Sequence, residues 1–318
     1  MDSIGDSAFY NCSSLEDIDI PRNVSSVGAN AFKGTAMLNY QIANAGPLYY
    51  ADTWVIGSTS GIETIIDGST PIKSGTTGIA DNTFRGCTKL SNVAIPNTVK
   101  YIGDSAFENC GELAIITIPS SVESIGGYAF SNCSRLTTMD IPNNVKNMGN
   151  GVFYNCTKLS EIKLSTSLGA IGISAFEGCK LLTAVDIPAS VASIGDKAFY
   201  GCSGLNTITI NNAKCEIYDS GNTINKTPIT ICGAKGSTAE SYATKYNKTF
   251  KEVSSSGVKG DANGDGVLRA SDAAFIAKKL AEASISGSKV TITAYPNADF
   301  NGCLLYTSDA ADDRISVD

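Results

Sequence analysis

One stretch of the 318-residue chain carries donor atoms at intervals that suit a metal ion. From Asp261 to Asp272 it reads D-A-N-G-D-G-V-L-R-A-S-D. Side-chain oxygens stand at the first, third and fifth positions, on Asp261, Asn263 and Asp265. Gly266 at the sixth allows a sharp turn, and Val267 offers its backbone carbonyl at the seventh. Asp272 closes the set at the twelfth, where it is one methylene shorter than the usual glutamate. Hard oxygens at these intervals are what Ca2+ requires, so Ca2+ is the one cofactor expected. The competing reading is an Asx-rich turn with no ion. A second, partial loop lies in the segment from Asn297 to Gly302, with Asp299 and Asn301 in the first and third places. Its fifth place holds Cys303 where an acid is needed.

Other chemistry is hard to find. The chain has no histidine, which removes Ser-His-Asp and Cys-His catalysis and His-ligated zinc together. Nothing in residues 1–302 reads as paired carboxylates in a shared cleft, a nucleophile with its base, or a phosphate loop. No enzyme is expected. A net charge of −7 argues against a nucleic-acid partner, which needs a basic stripe. No apolar run is long enough to span a bilayer.

The elements that must carry such a loop are set by repetition. Residues 125–142 read I-G-G-Y-A-F-S-N-C-S-R-L-T-T-M-D-I-P, and seven further copies can be anchored on phenylalanine. These anchors are Phe9, Phe32, Phe84, Phe107, Phe130, Phe153, Phe176 and Phe199, and the last six stand 23 residues apart. A fixed period in the twenties is a solenoid signature: each copy forms one coil and buries its apolar face only against its neighbours. In the front half, Ile125, Ala129, Phe130 and Cys133 fall near helical spacing, which predicts a short helix starting at residues such as Asp104 and Asp196. In the back half, Leu113, Ile116 and Ile118 alternate with polar residues, which predicts a half-buried strand closed by proline. Stacked strands should advance about 4.8 Å per coil. Cys12, Cys87, Cys110, Cys133, Cys156, Cys179 and Cys202 share one slot of the repeat and form no C-x-x-C. They read as buried thiols, whereas Cys215 and Cys232 could pair.

The pattern I-G-x-x-A-F-x-x-C-x-x-L-x-x-I-x-I-P resembles the BspA-like, or Treponema pallidum-type, leucine-rich repeats, from Ile4 to about Phe250. The resemblance implies an extracellular, secreted or cell-surface location and a solenoid that binds and does no chemistry. The fold class expected is an α/β solenoid: a leucine-rich repeat stack with a parallel sheet on one side and short helices on the other. A small α-helical calcium-binding module should follow.

Four segments are expected. Residues 1–250 form the solenoid, with an insertion at 36–77 and a C-terminal cap at 211–250. In the insertion, Leu48–Gly57 reads as strand, turn, strand, with Tyr49, Tyr50 and Trp54 covering an oversized coil or contacting a ligand. In the cap, Ser237 and Glu240 form a capping box. Residues 251–259 are a linker. Residues 260–302 resemble a truncated dockerin, the calcium-folded module that plugs into a cohesin of a cellulosome scaffold. That resemblance implies partner contacts at Ala270, Ser271, Lys278 and Lys279. Residues 303–318 resemble a translated sequencing adapter and are set aside from fold reasoning. The chain begins almost inside a repeat, so an upstream segment is expected to be missing.

Three functions are consistent with the sequence. One is a non-enzymatic, secreted binding protein, monomeric, whose solenoid takes an unnamed ligand and whose dockerin docks a cohesin through Ca2+. The second is a bacterial cell-surface adhesion protein. The third is the C-terminal part of a carbohydrate-active enzyme whose catalytic domain lies elsewhere. The strand-face columns, such as Thr138/Asp140 and Glu161/Lys163, are small and mixed in charge and name no ligand.

Overall fold

The computed structural model describes residues 2–44, 46–58, 72–224 and 228–253, together with short strands at 290–291 and 314–315. The chain divides into two compact units, Met1–Lys251 and Glu252–Asp318. In the second, Val290–Thr291 pairs antiparallel with Arg314–Ile315, which lies inside the tail that sequence reasoning set aside.

The first unit is a solenoid, and the back half of each repeat forms the strand its alternation predicts. Thr138–Asp140 pairs parallel with Glu161–Lys163, and Ala184–Ile187 with Thr207–Ile210. Each partner lies one 23-residue period away, as in Met139 opposite Ile162 and Val185 opposite Ile208. The middle residue of each strand is buried, and its neighbours Asp140, Glu161, Lys163 and Asp186 face water.

The front half corrects the expectation of helices. A second set of parallel strands runs through the Ile-Gly slot, in register Ile79, Ile102, Ile125 and Met148. The Ala-Phe segment after it is a chain of tight turns. Phe107 and Asn109 donate their N–H groups to Ala129 and Ser131 of the next coil, each at 2.8 Å, while Glu108 and Cys110 donate three residues back. An α-helix needs each N–H to reach four residues back. Here every second one is given to a neighbour. Ser105 and Asn109 also sit at φ of 53° and 63°, a left-handed backbone that no α-helix contains. Asp104 starts no helix; its Oδ1 accepts the N–H of Gly127 in the next coil at 2.6 Å. The spacing of Ile, Ala, Phe and Cys imitates a helical face because successive tight turns also return these side chains to one side.

Between the two strand sets lies the core. The rings from Phe84 to Phe199 stack at centroid spacings of 5.0 to 5.7 Å, nearly parallel, and from Phe107 to Phe199 they have no exposure. Beside them runs the thiol column. Cys133, Cys156 and Cys179 donate Sγ–H to the carbonyls of Phe107, Phe130 and Phe153, one coil back, at 3.3, 3.1 and 3.1 Å. Burial pushes the Cys133 thiol up to about 12. Cys12 departs from the expectation: it is exposed, and among the described residues its coil is packed by a neighbouring coil on one side. Cys215 and Cys232 are both free thiols.

Coils approach each other most closely at the Ile-Gly slot. A Cβ on Gly126 would lie 2.5 Å from the Asp104 backbone nitrogen, so only glycine fits. Ion pairs also follow the period: Arg85 with Glu108 at 2.9 Å, Lys100 with Glu123 at 3.2 Å, and Arg135 with Glu112.

The insertion contains the expected strand, turn, strand, but it opens on a helix. Helix α1, Ala36–Asn44, leads into strands Leu48–Ala51 and Trp54–Ser58, which pair antiparallel around Asp52 and Thr53. Trp54 is buried and lies across Gly78, stacked on Tyr101 at 6.0 Å. The indole thus fills the space of a missing side chain in the next coil. The other end is closed by helix α2, Thr238–Lys245, capped by Ser237, whose Oγ accepts the Glu240 N–H. Ala239, Tyr242 and Ala243 are buried against the last coils. The Tyr242 hydroxyl donates to the Ser220 carbonyl at 2.7 Å and accepts the Ile224 N–H.

Candidate binding surfaces

The calcium-loop residues Asp261, Asn263, Asp265, Val267 and Asp272 lie outside the described residues, as do Asp299 and Asn301 of the partial loop. So do Ala270, Ser271, Lys278 and Lys279, named as partner contacts. Among the described residues, no group of three or more His, Cys, Asp or Glu converges to hold a metal, and no helix is long and apolar enough to cross a membrane.

Two surfaces of the solenoid remain. The first is the outer face of the Ile-x-Ile strands. Ile115 is 64% exposed there, and with Thr117, Thr138, Asp140 and Lys163 it lines a shallow groove of about 560 Å³. Lys163 Nζ pairs there with Asp140 at 3.4 Å, and Asn211 Nδ2 donates to Asp186 at 2.6 Å.

The second surface is a cleft of about 740 Å³ between the first coil and the insertion. Ala36, Met37, Tyr40 and Gln41 of α1 form one wall, Tyr50 and Asp52 of the hairpin another, and Glu16 and Asp17 of the first coil the rim. The geometry follows from local rules. Residues 37, 40 and 41 share one helix face. Gln41 clamps the hairpin, since its Nε2 donates to the Tyr50 carbonyl and its Oε1 accepts the Tyr50 N–H, both at 2.7 Å. Asp52 turns the hairpin at φ 49° and accepts the Ile20 N–H at 3.1 Å, tying insertion to coil. Sequence reasoning singled out Tyr50 but missed Glu16, Asp17, Met37 and Tyr40. The available signal was the spacing of Met37, Tyr40 and Gln41, which the broken repeat period masked.

The BspA type Leucine rich repeat region, in six copies, matches residues 1–52, 68–183 and 170–304. The chain belongs to the BspA-type leucine-rich repeat family. The coil described above is the unit that the family repeats. A leucine-rich repeat protein from Bacteroides ovatus is similar at 25% identity with a TM-score of 0.52, over 79% of this chain and 64% of that one. The T. pallidum leucine-rich repeat protein is similar at 26% identity and a TM-score of 0.42, over 55% of this chain and 79% of its own. The chain therefore spans less than two thirds of the Bacteroides ovatus protein. No curated protein matches the sequence.

Proposed function

We propose that this chain is a non-enzymatic binding protein, secreted or held at a bacterial surface, whose solenoid presents a rigid face to a protein partner and whose C-terminal segment attaches it elsewhere through Ca2+. One observation carries the binding role. Each interior coil buries its Phe, Leu and strand-centre side chains in the stack and leaves alternate strand residues, Ile115 among them, in water. Such a surface is preorganised, so ordering it on binding costs little. The residues that would hold Ca2+ are Asp261, Asn263, Asp265 and Asp272 by side-chain oxygen and Val267 by its carbonyl. That donor set fits a hard cation. The ion would supply charge neutralisation that lets the acidic loop fold. The dockerin resemblance supports a cohesin as the attachment partner, with Ala270, Ser271, Lys278 and Lys279 as its contacts.

A second reading is an adhesion protein without cohesin attachment. It is favoured by the third family match, which runs to residue 304, across the whole calcium-loop segment. One experiment separates the two. The full chain is passed over immobilised cohesins, with and without chelator. Retention that chelator abolishes, and that Asp261→Ala with Asp265→Ala also abolishes, supports attachment. Retention indifferent to chelator, or none at all, removes the cohesin and leaves the adhesion reading.

A further inference from the structure

We infer that the cleft between the first coil and the insertion is a docking site for a cationic, amphipathic peptide segment of a partner protein, one that offers lysine or arginine beside an aliphatic side chain. The inference names where on the solenoid a partner sits and does not depend on calcium or on a cohesin.

Charge complementarity selects the occupant. The rim carries three carboxylates, Glu16, Asp17 and Asp52, and none of the ion pairs among the described residues involves them. Elsewhere on the solenoid, four acids, Glu108, Glu112, Glu123 and Asp140, are each matched by a base one coil away. The floor and walls are apolar or aromatic, formed by Ala36, Met37, Tyr40 and Tyr50. Tyr40 is 70% exposed, although a ring of that size next to Met37 could have packed inward. Carboxylates around aromatic faces suit a cation with an apolar stem, because the stem buries against the rings and the head meets the acids.

The chain itself shows that one of these rings accepts a cation. The Lys73 ammonium sits 4.2 Å from the centre of the Tyr50 ring, while the Lys73 N–H donates to the Tyr50 hydroxyl at 3.0 Å. Tyr40, on the facing wall, has no such companion among the described residues. The site is also rigid where it needs to be, since the Gln41 clamp and the Asp52 tie fix helix, hairpin and coil against one another.

The test uses the full chain and three short fluorescent peptides: one alternating lysine and leucine, one alternating lysine and glycine, and one alternating glutamate and leucine. Anisotropy should show binding of the lysine-leucine peptide that weakens as salt is raised. The lysine-glycine peptide should bind about tenfold more weakly and the glutamate-leucine peptide not at all. Glu16→Gln with Asp17→Asn, and separately Tyr40→Ser, should each weaken the first peptide about tenfold. All three positions are exposed or cleft-lining, and unchanged thermal unfolding checks that the variants are folded. Asp196→Asn with Glu216→Gln, in coils far along the stack, should leave affinity unchanged. Equal loss in that remote variant would show only attraction to an acidic protein and overturn the site. So would tight lysine-leucine binding that ignores both cleft variants. Binding of neutral cellohexaose, lost with Tyr40→Ser, in place of the peptide would reassign the cleft to carbohydrate.

Discussion

At the residue scale, the slot after Ile-Gly shows how one side chain can serve two coils. Asp81 accepts the Asp104 N–H at 2.7 Å, Asp104 accepts that of Gly127, and Asn150 accepts that of Ile173 at 2.9 Å. Asparagine therefore does the same work without charge. Asp81 pays for its ionised form: burial, with the Asp104 and Asp6 carboxylates alongside, raises it from 3.8 to about 6. A carboxyl whose folded value is raised contributes stability that is full below its unfolded value and lost as pH rises through the folded one. The loss from Asp81 thus falls between pH 3.8 and about 6. Asp81→Asn should keep the hydrogen bond and remove that loss. Thermal unfolding should show the variant more stable than the parent at neutral pH, with the two converging on acidification through this window. A variant less stable at neutral pH would mean the charge itself is used.

At the element scale, close approach decides where side chains are allowed. Gly126 and Gly111 both sit in turns or at strand ends, yet only Gly126 faces backbone at 2.5 Å; the nearest atom to a Cβ on Gly111 is the Ser134 hydroxyl at 3.7 Å. Gly126→Ala should cost about 1–3 kcal/mol by forcing two coils apart, and Gly111→Ala should cost nothing measurable. Denaturant melts of the two variants side by side test this. Phe130→Ala, at the centre of the ring stack, should cost about 3–5 kcal/mol in the same measurement. Much of this level was legible in the sequence. The strand at 161–163, the hairpin around Asp52, the Trp54 cover and the buried thiols follow from alternation, turn residues and slot position. The turns at 103–110 did not, because their apolar spacing matches a helix and what excludes one is the left-handed backbone at Ser105 and Asn109. Serine there gives no hint of it. Helix α1 was hidden differently: it lies where the period fails, and Tyr40 and Ile42 blur its apolar face by pointing to solvent. The cleft needed α1, the hairpin and the first coil together, and no single stretch of sequence contains all three.

At the scale of the whole solenoid, stability comes from neighbours in a line. Hydrogen bonds, ion pairs, ring stacking and the thiol contacts all join a coil to the next one along. Removing the 23 residues 126–148 joins Ile125 to Gly149 and restores the Ile-Gly slot with every later register intact. That chain should remain folded, by circular dichroism, and melt cooperatively a few degrees lower. Removing only residues 126–145 leaves three surplus residues between Ile125 and Gly149 at one coil junction, and that chain should melt at a lower temperature than the 23-residue deletion. Equal behaviour of the two deletions would show that the period is not what holds the stack.

The thiol column has a consequence for how the chain must be made. Once the stack has closed, Cys110, Cys133, Cys156, Cys179 and Cys202 are sealed from solvent and held as hydrogen-bond donors. Before closure the same sulfurs are spread at regular intervals along an open strand, free to cross-link with one another. Wherever this polypeptide meets an oxidant, maturation is a race between zipping up and wrong bridging, and a mutation that only slows the zipping would lower the yield of sound protein without changing its final architecture.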